Sequence, residues 1–153
     1  MGIQYRKMEE SDLDIFIKMR ISQLQEEGVK SKENLVLPLK AYYIKHLQDN
    51  TFVSWLAIDD DKIVGTSGVS FVEKPPYYGC LSGKIGLLSS MYVIENYRRQ
   101  GIAKNLLDKI INDAKEFGCD VLQVTGSNVG VRLYSAYGFK KNQNFRYYEI
   151  SVV

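Results

Sequence analysis

The sequence predicts one mixed α/β domain, built on a mostly antiparallel sheet with flanking helices and a single parallel strand–helix–strand unit. Three observations carry this expectation. Periodic segments follow the order strand, two helices, three strands, helix, strand, helix, strand, with too few helices between strands for an all-parallel sheet. The chain has 153 residues, the size of a single domain with a real core. Apolar residues make up 45% of it and charged residues 25%, as in ordinary soluble folds.

Ile3 to Lys7 alternates like a short strand. Ser11, with Asp14 three residues on, has the spacing of a helix N-cap. It precedes Leu13, Phe16, Ile17, Arg20, Ile21 and Leu24, a first helix ending near Gly28. Lys30 to Leu37 is polar and reads as a loop. Pro38 suits a helix start, and Leu39 to Gln48 is a second short helix. These two helices could form one wall of a cleft.

Thr51 to Ile58 is a near-continuous apolar strand. Asp59 to Lys62 is a turn, and Ile63 to Val72 is the returning strand of a hairpin. Gly65 and Gly68 within it permit close backbone approach or a bulge. Lys74 to about Lys84 is a loop opened by Pro75 and Pro76. Leu87 to Ile94 is the next strand. Ile102, Ala103, Leu106, Leu107, Ile110, Ile111 and Ala114 then recur at three-and-four spacing, a helix with one apolar stripe for a sheet. Gly118 stands where a left-handed C-cap residue is favoured. Asp120 to Thr125 is a strand, Gly126 to Asn128 a turn and Val129 to Tyr137 a short helix. From Phe139 onward one or two closing strands are expected.

Composition excludes several classes. A net charge of +2, with Lys and Arg scattered, gives no pull toward nucleic acid. Cys80, Cys119 and the lone His46 make neither a disulfide framework nor a metal cluster, so no metal is expected. No apolar run approaches the roughly 18 residues that cross a membrane. Met1 to Lys7 lacks a signal-peptide core. A reduced, cytoplasmic protein is the expectation, with a homodimer left open.

Chemistry points to the turn between the strand ending at Ile94 and the long helix: Arg98-Arg99-Gln100-Gly101-Ile102-Ala103. A helix start offers unpaired N–H groups and the positive end of the helix dipole. A glycine allows close approach, and two arginines add charge, so the turn suits an anion and above all a phosphate. By itself such a turn is also what a solvated basic loop looks like. No G-x-G-x-x-G and no G-x-x-x-x-G-K-[ST] occurs in the chain.

Arg98-x-x-Gly101-x-Ala103 resembles the Q/R-x-x-G-x-G/A pyrophosphate loop of the GNAT superfamily of acetyl-CoA-dependent N-acetyltransferases. Met91-Tyr92-Val93 looks like the family's "-YV-" strand. Arg132-Leu133-Tyr134-Ser135-Ala136-Tyr137-Gly138-Phe139 looks like its "LYxxxGF" segment, in the family's order and at roughly its spacing. The resemblance covers nearly the whole chain and implies the GNAT fold.

The resemblance also implies roles. Backbone amides from Arg99 through Gln100, Gly101, Ile102 and Ala103 to Lys104 would cradle the pyrophosphate of coenzyme A, with charge from Arg98 and Arg99. The strand at Met91 and Val93 would splay from its neighbour and pair through its backbone with the pantetheine arm, while its side chains pack in the core. An N–H near Met91 would hold the thioester carbonyl and steady the oxyanion. Tyr134 would protonate the leaving thiolate, against the plainer role of packing a short helix. The family often has an asparagine seven residues before this tyrosine. Ser127 stands there, with Asn128 one place later and Gly130 in place of the usual alanine. Asn128 could contact the pantetheine or only cap a helix.

An ammonium acceptor needs a base or a water relay, because a group of pKa near 10.4 is less than about 0.1% neutral at pH 7. Glu26, Glu27, Glu73 and His46 are the candidates, with Glu27 favoured by its place in a Glu-Glu-Gly helix end. The loop from Pro75 to Gly83, with Tyr77 and Tyr78, is expected to border the acceptor site. The implied activity is direct transfer of acetyl from acetyl-CoA to a primary amine of a small molecule or peptide. Neither cysteine has a nucleophile's setting. An acyl-CoA sensor and a partner-binding domain on the same fold are the rivals.

Overall fold

The structure is a computed structural model and describes residues 2–125, 131–141 and 146–150. Strand β1 is Gln4–Lys7. A 3-10 turn, Glu10–Asp12, leads into helix α1, Leu13–Glu26. Ser11 is exposed inside that turn and does not cap the helix. Asp12 closes a capping box on the turn instead: its carboxylate accepts from the Glu9 N–H at 2.8 Å and from two Arg6 nitrogens at 2.8 and 2.9 Å. A paired charged acceptor outcompetes a hydroxyl for the same corner.

Helix α2, Val36–Gln48, begins two residues before Pro38. The Asn34 side chain accepts from the Val36 N–H at 3.0 Å and starts the helix there. Pro38 falls in the first turn, where a missing N–H costs nothing. The apolar run after Thr51 is two strands, β2 (Phe52–Val53) and β3 (Trp55–Asp59). The chain is diverted at Ser54, whose carbonyl accepts from the Met8 N–H at 2.9 Å.

Strand β4 is Lys62–Glu73. The β3–β4 turn puts Asp60 and Asp61 at φ 45° and 66°, the two positive dihedrals of a tight hairpin. The close approach expected at Gly68 is present: a Cβ there would lie 2.8 Å from Phe52 Cζ. Strand β5, Lys84–Val93, starts three residues earlier than Leu87 because its first half pairs on both edges. Helix α3 is Ile102–Phe117, held between Gly101 and Gly118 at φ 82° and 94°. Strand β6 (Val121–Val124) and helix α4 (Val131–Tyr137) follow. The described residues beyond α4, 138–141 and 146–150, contain no strand, and the rest of the expected closing strands lies outside the described residues.

The sheet order is β1-β3-β4-β5-β6, with β2 paired to β4. Among the described residues only β5 and β6 run parallel, joined over α3. Helices α1 and α2 cover one face, setting Phe16, Ile17 and Tyr43 against Phe52 and Leu56 of the sheet. Helix α3 covers the other, with Leu106, Leu107 and Ile110 fully buried. Each such side chain contributes about 1.5–3 kcal/mol as an upper estimate. Among the described residues no helix is long and apolar enough to cross a membrane.

Candidate active site

Parallel pairing between β5 and β6 runs from Ile85↔Val121 to Leu88↔Val124 and stops, while β5 continues to Val93. The edge from Ser89 to Val93 is therefore released from β6. A bulge on β5 sharpens the departure. Ser90 sits at φ 58°, the register with β4 shifts between Thr66 and Gly68, and Thr66 Oγ1 donates to the Ser90 carbonyl at 2.7 Å. The splayed strands open a cleft of about 680 Å³. Its walls are the C-terminal half of α1, the free end of β5, the glycine turn with the start of α3, and Leu133 and Tyr134 of α4. Met91 and Val93 both lie on this edge, Val93 buried and Met91 partly so.

At the end of β5 the chain makes a 3-10 turn, Glu95–Tyr97, and then the glycine turn. Arg99 and Gly101 take φ 63° and 82°. Alternating backbone of this kind aims successive N–H groups into one concavity. The first helical bond near the turn is Asn105 N–H to Gly101 O at 3.1 Å, so the N–H groups of Ile102, Ala103 and Lys104 belong to the unpaired first turn. A Cβ on Gly101 would meet no atom within 4 Å; that side of the turn is open. Buried Ile102 anchors the turn to the sheet.

The side chains of the turn point to separate partners. Arg98 Nε donates to the Val93 carbonyl at 2.7 Å, Arg98 Nη2 meets Glu26 Oε2 at 2.9 Å, and the guanidinium lies over the Tyr92 ring at 5.5 Å. Its guanidinium is thus paired with Glu26 at the mouth of the cleft. Gln100 reaches the Asn96 carbonyl at 3.3 Å, and Lys104 pairs with Asp108 at 3.3 Å. Arg99 is exposed and, among the described residues, makes no ion pair.

Across the cleft stands Tyr134, 8% exposed. Burial, and then the nearby charge of Glu27, pushes its hydroxyl up to a pKa of about 12. Glu27 is the C-cap residue of α1 and lines the same cleft. Gln23 reaches Glu27 at 3.4 Å and the Met91 carbonyl at 3.3 Å. The other candidate bases lie elsewhere or are occupied. Glu26 is held by Arg98 and by the Tyr92 hydroxyl at 2.8 Å. Burial raises its pKa, but these two donors outweigh it and the net position is below the usual carboxylate range. His46 stacks on Tyr42 and bonds Thr51 behind the sheet. Glu73 stands opposite Lys84 in the β4–β5 ladder, at the end of β5 away from the cleft.

The loop expected to border the acceptor is also at that far end. Tyr77 and Cys80 bridge to each other, Ser82 bonds Asp120, and no residue of the loop lines the cleft. The hairpin places it before Lys84, whereas the cleft opens after Leu88. Asn128, Ser127 and Gly130 lie outside the described residues. Arg20 and Gln23, by contrast, line the cleft without having been singled out as site residues. Their signal was available: Arg20, Gln23 and Glu27 recur at three-and-four spacing on the stripe that begins with the core residue Phe16.

A splayed parallel pair, a glycine turn opening a helix and a buried tyrosine thus share one cleft. Residues 19–139 match the model of the Acetyltransferase (GNAT) family. The chain belongs to that family. It is 37% identical over 100 residues to rat N-acetyltransferase 8, a match covering 63% of this chain and 43% of that protein. Human N-acetyltransferase 8 is 32% identical over 99 residues, covering 63% and 42%. The chain thus spans less than half the length of these curated relatives. Among solved structures, a predicted acetyltransferase from Clostridium acetobutylicum, crystallised with acetyl-CoA, superposes at a TM-score of 0.93 with 28% identity, covering 97% of each chain.

Proposed function

We propose that the protein transfers the acetyl group of acetyl-CoA directly to a primary amine. The observation that carries this reading is the free β5 edge from Ser89 to Val93, flanked by the open glycine turn on one side and Tyr134 on the other. The residues present suit the cofactor. An extended pantetheine arm would pair with the exposed backbone like an added strand. The first-turn amides from Arg99 to Lys104 would take the pyrophosphate. Fixed N–H donors at the β5 bulge near Met91 would stabilise an oxyanion in a water-poor site.

In this scheme the amine nitrogen bonds to the acetyl carbon as the carbon–sulfur bond breaks. Tyr134 gives its proton to the departing thiolate. Glu27, directly or through water, removes the proton the amine loses, and its closeness to Tyr134 lets that proton return to the phenol. The acceptor is a small molecule or a peptide amine met in the cytoplasm, where the free thiols of Cys80 and Cys119 stay reduced.

The test combines calorimetry with product analysis. Acetyl-CoA and coenzyme A should bind in the micromolar range and raise the melting temperature. Dephospho-CoA should still bind, since the turn holds the pyrophosphate. Mass spectrometry over an amine panel should show acetylated product. Binding without any product or amine-dependent thiol release would favour a sensor, and no binding at all would reject both.

A further inference from the structure

Helix α1 lays out separated charge along its wall of the cleft. Glu27 stands nearest Tyr134, Gln23 one turn earlier, and Arg20 one turn before that. Gln23 is 8% exposed, and its amide is fully engaged. Its oxygen accepts from Arg20 Nη1 at 3.1 Å, and its nitrogen donates to Glu27 Oε1 at 3.4 Å and to the Met91 carbonyl at 3.3 Å. A guanidinium and a carboxylate thus stand on the two sides of one primary amide, which is itself pinned to the β5 bulge. Glu26, one residue from Glu27, is neutralised by Arg98. Arg20 has no carboxylate partner among the described residues.

An independent observation lies at the Arg20 end. Ser90, 1% exposed on the bulge and lining the cleft, has a hydroxyl without a hydrogen-bond partner among the described residues. It faces the buried Tyr43 hydroxyl without completing a bond to it. Ser90 adjoins Met91, whose carbonyl accepts from the Gln23 amide that Arg20 also contacts, so Arg20 and Ser90 line one corner of the cleft. A buried polar group left unpaired is costly, and a ligand that pairs it recovers that cost. Arg20 and Ser90 together present donors to an anion.

Resting on the acetyl-transfer reading, we propose that the amine acceptor is an α-amino acid, its carboxylate held by Arg20 and Ser90 and its amino group facing Glu27. The dimensions agree. An amine and a carboxylate on one carbon lie roughly 3 Å apart, and a charge-assisted bond at each end adds about 2.8 Å. That span matches an amide with its own two hydrogen bonds, the arrangement Gln23 displays. A polyamine or an aminoglycoside would set a second cation against Arg20, and like charges at close quarters disfavour binding. A simple alkylamine would leave Ser90 and Arg20 unpaired.

A matched series tests this: L-amino acids, their primary amides, their decarboxylated amines and 1,4-diaminobutane, each acetylated at fixed acetyl-CoA. At least one amino acid should exceed its own amide and amine by tenfold or more in kcat/KM. Arg20→Gln should remove that preference through KM, bringing acid and amide to the same value, and Arg20→Lys should restore part of it. Ser90→Ala, which leaves α1 untouched, should weaken the acid selectively and covers the case in which the Arg20 variants do not fold. Equal use of acid and amide by the unmodified protein would overturn the proposal. So would an Arg20→Gln variant that melts normally and loses all acceptors alike. No turnover of any amine, with acetyl-CoA bound, would instead reject the transfer reading beneath it.

Discussion

Arg98 Nη2 closes on Glu26 Oε2 at 2.9 Å and so ties the first residue of the glycine turn to the last residue of α1. Tyr92 completes the bridge by donating to the other oxygen of the same carboxylate at 2.8 Å. Three elements that are far apart in sequence, α1, β5 and the turn, are fixed to one another at the mouth of the cleft. The bridge holds the turn in shape by contacts outside the cradle itself.

Glu26→Gln should therefore weaken acetyl-CoA binding more than it weakens the fold. Exposed ion pairs are worth about 0.2–1 kcal/mol, so the melting temperature should move by only a few degrees. A turn that must be ordered at the moment of binding loses affinity, here roughly 2–10-fold. Calorimetric titration of the variant with acetyl-CoA measures this, and an affinity equal to or tighter than that of the unmodified protein would reject the role of the bridge.

The glycine turn gives a prediction in two parts. Gly101 adopts φ 82° with open space where a Cβ would sit. Gly101→Ala meets no clash and should cost only the left-handed strain, about 1–2 kcal/mol. Gly101→Glu adds the same strain but brings a negative charge into the concavity, and acetyl-CoA binding should be lost. Melting curves with and without ligand separate the two effects. If both variants bind equally well, the phosphates sit elsewhere.

Much of this was legible in the sequence because it is local. The α3 stripe and its flanking glycines fix a helix and both its ends through spacing and φ requirements alone. The glycine turn and Tyr134 follow from short segments with a defined order. What was not legible depends on distant partners. Nothing in Phe52 to Ile58 announces that Met8 will divert the strand at Ser54. Arg98 reads as free charge until Glu26 is brought beside it. The loop at Tyr77 and Tyr78 was assigned to the wrong end of β5 because a hairpin has two ends and sequence pattern does not say which one opens.

Acid should expose a second brace, at the other end of α1. The Arg6 hydrogen bonds, opposed by burial and helped by the Glu9 N–H, hold the Asp12 carboxyl below its ordinary pKa. A depressed folded-state pKa contributes stability that is present above the unfolded value and lost as pH falls through the folded one. The protein should therefore lose stability as pH drops below about 4, the ordinary Asp value. Asp12→Asn should be less stable at pH 7 and show a shallower loss in that window. Urea melts at several pH values give the slopes, and identical slopes for the two proteins would show that another carboxylate governs the acid limb.

Tyr134 supplies the last prediction, which separates an enzyme from a sensor. Its hydroxyl is buried, beside Glu27, with a pKa of about 12. It therefore keeps its proton throughout the neutral range and is present there as the acid form. It donates to the sulfur as negative charge develops there during bond breaking, and the phenolate left behind, a stronger base than a thiolate of ordinary pKa about 8.5, is reprotonated by the proton the amine releases. Tyr134→Phe keeps the ring, its packing against Phe139 and the helix, and removes only the hydroxyl. The turnover number should fall by about 10²–10⁴, the usual worth of a positioned general acid. Acetyl-CoA affinity should change little, so the loss falls on kcat and on kcat/KM alike. The pH–rate profile of the unmodified protein should show no alkaline loss from this group below about pH 11, because the phenol stays protonated there. Release of free thiol, followed over the acceptor series with both proteins, reads all of this. Equal turnover by the two would remove Tyr134 from the chemistry and leave the oxyanion donors of β5 to carry the transfer.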